Sequence, residues 1–374
     1  MNNKLKKIAV SALISSFLIF SVLIPILISI NYNKESLWYY DTGNDVHSVA
    51  LSSDGSYFAA STETGIHFFS RSNLTPIWKS VSTERIWRVA ISSDGSYIVA
   101  RSSNKNLYLF SKSSETPLWN FSSDYDLNSI VISSDGSYIV MGSGYNIYLF
   151  SKLNATPLWK YLSTERISRV AISSDGSYIA AVDNNNFYLF SKSSNVTLWN
   201  YTTNRRMWGL AISANGMYIA VGDFNNILYL FNKTSSIPMW YRKFDSSEFI
   251  LSVAISSDGS YIAVGSSDNN LYLFKKNSSM PVWNYTAEWA FNSVSISSDG
   301  SYIAASSSTF FASIAIQTPP PPVGEVYIFN KNYSKPIWNY NIGHFISSVA
   351  ISTDGMYIVV GSHNGKVYLF ENSQ

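Results

Sequence analysis

The sequence predicts an all-β fold, an eight-bladed β-propeller, preceded by one N-terminal transmembrane helix. Three observations carry this. A turn motif, SSDGSY or a close variant, recurs eight times, with its glycine at Gly55, Gly95, Gly136, Gly176, Gly216, Gly259, Gly300 and Gly355. A tryptophan recurs in phase, at Trp38, Trp78, Trp119, Trp159, Trp199, Trp240, Trp283 and Trp338, 17 residues before the glycine in seven units and 19 in the sixth. Residues 8–30 run 23 positions without a charge. Repeats of about 40–45 residues with four short strands each are the signature of a propeller.

In chain order, residues 1–7 (MNNKLKK) read as a short cytoplasmic tail. Residues 8–30 are long enough, at 1.5 Å per residue, to cross a hydrocarbon layer of about 30 Å. Positive charge before the run favours the cytoplasmic side, so the remainder is expected outside the cell membrane, which it crosses once. A cleaved signal peptide is the main alternative, but the run is long for one and ends SINYNKES without a small-residue cleavage pattern. Residues 31–35 form a linker and 36–374 the propeller.

One unit, SVAIS-SDGS-YIAVGS-SDNN-LYLF-KKNSSMP-VWNY, shows the parts. VAIS and YIAVG flank an Asp-Gly step, a strong hairpin signal. LYLF and VWNY are rich in strand-forming aromatics. The first two strands carry small side chains and the last two large ones, as a wedge converging on an axis requires. The chain opens on the outermost strand type (SLWYY) and ends on the third (VYLF), so the N-terminal strand is expected to complete the last blade. Closure removes an exposed sheet edge. Seven blades plus a stray unit is the alternative. The periodic tryptophans are expected to pack on the neighbouring blade, and the repeated aspartates to form turns.

The strand order and the S-S-D-G turn resemble WD repeats, although Phe-Ser, Phe-Asn or Phe-Lys stands where their Trp-Asp pair belongs, as at Phe190-Ser191. The stretch LYLFSKSSETPLW (107–119) is similar to the quinoprotein-type, PQQ-like repeat, which often makes eight blades. The resemblance implies the fold over about nine-tenths of the chain. It implies function poorly, because propellers host many unrelated activities.

Composition excludes several classes. Residues 31–374 carry 23 basic and 24 acidic groups, which argues against nucleic-acid binding. There is no cysteine, so no disulfide framework, no thiolate metal site and no vicinal cysteine pair such as quinoprotein dehydrogenases often use. The four histidines show no metal-binding spacing, and no nucleophile-elbow, phosphate-loop or dinucleotide motif occurs. No catalytic residue, metal site or cofactor is therefore expected. A propeller enzyme acting on surface polysaccharide and a receptor-like sensor are the alternatives.

Positions that break the repeat are the candidates for binding. The loops joining an outermost strand to the next innermost strand vary, and seven of nine arginines fall there: Arg85, Arg88, Arg166, Arg169, Arg205, Arg206 and Arg242. So do the non-periodic Trp87, Trp208 and Trp289. Arg and Trp dominate interaction hot spots, and Arg matches carboxylates in a planar fork. The bland expectation is that Arg pairs with Glu84, Glu165 and Glu248 in the same loops. Blade 7 carries an insertion, STFFASIAIQTPPPPVGE, whose Phe310 and Phe311 are further candidates on the same face. Nine glycosylation sequons occur, those at Asn73, Asn154, Asn195, Asn277 and Asn332 lying in turns before the outermost strand. The reading is a monomeric, membrane-anchored, extracytoplasmic binding or scaffold module for a protein or anionic glycan at the cell surface.

Overall fold

The computed structural model describes residues 35–203, 205–244, 248–309 and 323–373. The expected tail, helix and all but the last residue of the linker lie outside these residues, as do Phe310 and Phe311. Among the described residues no helix is long and apolar enough to cross a membrane.

The described strands form eight four-stranded antiparallel sheets, each paired in sequence order but for the last. Blade 1 contains Val46–Leu51, Tyr57–Thr62, Gly65–Ser70 and Trp78–Val81. The innermost strands of blades 2 to 8 are Ile86–Ile91, Leu127–Ile132, Arg169–Ile172, Met207–Ile212, Ile250–Ile255, Phe291–Ile296 and Ile346–Ile351. Blade 8 is closed by the N-terminal strand, Trp38–Asp41, which pairs with Lys366–Glu371, Trp38 opposite Leu369 and Asp41 opposite Lys366. The eight-blade expectation holds and the seven-blade alternative falls.

The SSDGSY motif explains itself in three dimensions. In blade 1 the Ser52 hydroxyl donates to Asp54 (2.8 Å) and accepts from the Tyr57 N–H (2.9 Å), while Asp54 also accepts the Ser56 N–H and hydroxyl. Gly55 sits at φ +70°, a left-handed conformation glycine adopts freely. The ring of Tyr357, from blade 8, lies against it: a Cβ there would stand 2.7 Å from Tyr357 Cδ2. The same glycine-under-tyrosine contact recurs at every blade boundary, as in Gly95 with Tyr57 and Gly176 with Tyr138.

These turns also bond to one another. The N–H of Ser53 donates to Ser93, and the chain of bonds passes through Ser134, Ser174, Ala214, Ser257, Ser298 and Thr353 back to Ser53. Each motif thus contributes one link to a closed ring. The outermost tryptophans bridge blades as expected: Trp119 Nε1–H donates to the Lys152 carbonyl of the next blade (2.9 Å) and its ring meets Phe150. The apolar core accordingly lies between blades. One cluster joins Ala180, Phe187 and Leu189 of blade 4 to Met207, Ile219 and Phe231 of blade 5.

Candidate functional site

The innermost strands surround a central channel. In seven of them the pairing slips between the first and third residues, a β-bulge at the second. Bulges re-aim side chains. The bulged residues are His47, Trp87, Asn128, Trp208, Leu251, Asn292 and Ser347, and all seven line a cavity of about 920 Å³ at one end of the channel. Blade 4 supplies Ser168 instead, just before its strand. The next residues inward are Ser48, Arg88, Ser129, Arg169, Gly209, Ser252, Ser293 and Ser348, and all line a smaller space of about 340 Å³ below. The cavity opens on the face of the variable loops, since Arg166 and Asn184, from the two loop types of blade 4, both border it.

The lining is strongly positive. Among the described residues Arg88, Arg101, Arg166, Arg169 and Arg206 face one carboxylate, Asp126, and every other lining residue is neutral except as His47 titrates. Burial lowers Arg88, and burial together with Arg88 brings Arg101 down to about 10. Burial, then Arg88 and Arg101, lower Arg169. Guanidinium remains protonated at neutral pH all the same, so the charge persists. His47 is brought down to about 4 by burial and by neighbouring His363 and Arg85, and is neutral there.

Two aromatic–arginine clusters flank the mouth. Arg85 lies 4.7 Å from the Trp87 ring, Trp87 meets His47 at 4.9 Å, and His47 meets His363 at 5.7 Å. Across the channel Arg169 and Arg206 lie 4.5 and 5.3 Å from the Trp208 ring, with Phe224 and Phe249 behind it. Such cation–π contacts hold a guanidinium while leaving its N–H groups free for a ligand.

The structure thus gathers Trp87, Arg88, Arg166, Arg169, Arg206 and Trp208 around one cavity, with Arg85 beside it. Arg205, Arg242 and Trp289 do not line it. Arg205 acts on Asp223, Arg242 lies on the outermost strand of blade 5 and contacts Met280 Sδ at 3.4 Å, and the Trp289 carbonyl accepts from Ser307. The bland pairing with loop glutamates fails in detail. Arg85 pairs with Glu63 (2.6 Å), whereas Glu84 bonds Asn106 and Tyr108, Glu165 bonds Asn184 and Glu248 bonds Ser267. Arg101, which sequence reasoning passed over, is in a second strand rather than a loop; it stands where other blades place Gly142, Gly222, Gly265 and Gly361. A search for repeat-breaking residues in strands would have found it. Among the described residues no group of three or more His, Cys, Asp or Glu is placed to hold a metal ion.

The five sequons in the turns before the outermost strand, at Asn73, Asn154, Asn195, Asn277 and Asn332, place their asparagines on exposed surface. These turns lie on the hairpin face, opposite the channel mouth, as does the entry of the chain into its first strand.

Comparison with known proteins fits this architecture. The family described as outer membrane protein assembly factor BamB, of PQQ-like repeats, matches residues 63–285. The chain belongs to this family. A WD domain, G-beta repeat, also matches residues 334–371, so both resemblances hold in different parts of one ring. No relative among curated proteins matches the chain. Among solved structures, Saccharomyces cerevisiae Sqt1 is similar with a TM-score of 0.75 at 12% identity, over 91% of this chain and 100% of that one. Chaetomium thermophilum Sqt1, bound to the N-terminus of the ribosomal protein L10, gives 0.73 at 15%, over 90% and 100%. At these identities the likeness is one of fold.

Proposed function

We propose that this propeller is a non-enzymatic binding scaffold that takes a segment of a partner protein at the arginine- and tryptophan-lined mouth of its channel. The observation that carries the reading is the pair of aromatic–arginine clusters, Trp87 with Arg85 and Trp208 with Arg206, on opposite sides of one cavity. Rigid aromatics beside guanidinium groups are what hot spots are made of. Family membership supports a scaffold role, since the family is named for an assembly factor, and one fold neighbour holds the terminus of another protein. The one carboxylate among the described lining residues forms no acid–base pair of the kind glycoside hydrolysis uses.

The proposal extends to location. The uncharged run at 8–30 anchors the protein in the cell membrane with the propeller outside, and some of the exposed sequons carry glycans. Protease added to intact cells is then expected to degrade the propeller; full protection would refute the topology. For binding, Trp87→Ala with Trp208→Ala in the full chain is expected to reduce partner capture at least about tenfold, the loss of one hot spot, with the thermal transition retained. Unchanged capture would refute the site, and displacement by an anionic glycan alone would reassign the partner.

A further inference from the structure

The channel holds charge that folding does not use. Arg88 and Arg101 stand directly opposite each other on the first two strands of blade 2. Like charges so placed destabilise a sheet. The equivalent positions in other blades show what the fold needs there: Ser48, Ser129, Ser252, Ser293 and Ser348 for Arg88, and mostly glycine for Arg101. Arg169, two blades on, is the other arginine in the ring of Arg88 and repels both.

Among the described residues none of the three is neutralised by a paired carboxylate. Arg101 Nη1 donates to the Leu127 carbonyl (2.5 Å), but its Nε is buried without a partner among the described residues. Exposed Asp126 at the mouth acts on Arg101. Arg169 has the Trp208 ring. The Arg88 side chain makes no hydrogen bond or ion pair among the described residues. Arg88 and Arg169 border both the mouth cavity and the space below, so they stand at the junction of the two. Across the channel the wall is hydroxyl and amide. There Ser252 and Ser293 each accept an N–H from the next blade, at 3.1 and 3.2 Å, which leaves their O–H groups to donate. A wall of fixed cations facing donors is matched by one ligand type, since guanidinium forks bind carboxylate, phosphate and sulfate through paired charge-assisted hydrogen bonds.

We propose that Arg88, Arg101 and Arg169 form an oxyanion site at the waist of the channel, selective for a ligand bearing more than one carboxylate, phosphate or sulfate charge. This deepens the binding reading by naming the chemistry the partner must present, and it stands whether that charge arrives free or on an acidic segment of protein.

The test uses the full-length chain at constant ionic strength, titrated with inorganic phosphate, with citrate and with a hexa-aspartate peptide, and followed by calorimetry and thermal midpoint. Saturable binding of at least one probe is expected. Arg88→Ser, Arg101→Gly and Arg169→Ser install residues that other blades carry at or near these positions. Each is expected to weaken binding at least about tenfold, as the loss of a charge-assisted pair implies, and to melt no lower than the parent. Binding of citrate or phosphate identifies a free small anion; binding of the peptide alone identifies a carried carboxylate. Absence of saturable binding by all three probes, parental affinity in all three variants, or a lowered midpoint in all three would overturn the proposal. Loss of partner capture in the tryptophan variants with citrate binding intact would confirm the two sites as separable. Intact capture in the tryptophan variants, with citrate binding abolished by Arg101→Gly, would refute the scaffold reading of the mouth and leave the anion site standing.

Discussion

Gly176 and Gly43 show how one residue type serves two purposes. Both lie at positive φ, +72° and +78°. A Cβ on Gly176 would stand 2.5 Å from Tyr138 Cδ2 of the preceding blade, whereas nothing lies within 4 Å of one on Gly43. Gly43→Ala is therefore expected to cost about 1 kcal/mol, the left-handed backbone alone. Gly176→Ala adds displacement of the tyrosine, and its cost is expected to exceed that of Gly43→Ala by at least about 1 kcal/mol in urea unfolding. His67 supplies a second test. It is buried opposite Lys79, and burial, then Lys79, brings it from 6.5 down to about 4. The unfolded chain thus takes up the proton first, so the contribution is whole above pH 6.5 and is lost as pH falls towards 4. It amounts to roughly 3 kcal/mol at most. His67→Tyr, which installs the residue of all seven other blades, is expected to flatten that part of the stability profile. At Asp54, Asp94 and Asp175 burial raises the carboxyl, but serine hydrogen bonds outweigh it and hold it down, so a further loss follows at more acid pH.

At the scale of elements, the blade boundary is the unit of stability. Tyr138 of blade 3 is packed on Gly176 and has Lys192 Nζ 4.7 Å from its ring, both from blade 4. The same arrangement places Lys112 by Tyr57, Lys152 by Tyr97 and Lys233 by Tyr178. The lysines of the SKSS-type turns thus join neighbouring blades through cation–π contacts. The last boundary depends on Trp38–Asp41, since that strand covers the outer edge of Lys366–Glu371. Deleting residues 35–41 bares that edge and removes the packing of Trp38 on Phe58 and Phe69. A lowered thermal midpoint and concentration-dependent association in light scattering are expected.

Over the whole molecule, charge is balanced but unevenly placed. Residues 31–374 are near neutral, with 23 basic and 24 acidic groups, while the described residues of the channel mouth hold five guanidiniums against one carboxylate. Overall repulsion is therefore small and the response to salt reports the channel. Raising sodium chloride from about 0.01 to 0.15 M, which shortens the screening length from about 30 to 8 Å, is expected to raise the thermal midpoint of the parent. The Arg88→Ser, Arg101→Gly, Arg169→Ser triple variant is expected to lose most of that rise.

The repeat made the architecture legible. SSDGSY, the phased tryptophans and the strand types at the two ends of the chain determined four strands per blade, eight blades and closure by the N-terminal strand, because each rests on local turn chemistry and strand patterning copied eight times. Six of the loop and inner-strand candidates, from Trp87 to Trp208, were legible for the same reason in reverse, as departures from the copy. Tertiary structure decided the rest. A bulge in the innermost strand turns Trp87 and Trp208 to the mouth, pairing register sets Arg101 opposite Arg88, and ring geometry brings Arg169 within their field while leaving Arg205, Arg242 and Trp289 elsewhere. Sequence periodicity carries no record of which side chains meet across an axis, since those contacts join residues separated by whole blades and depend on how the ring closes.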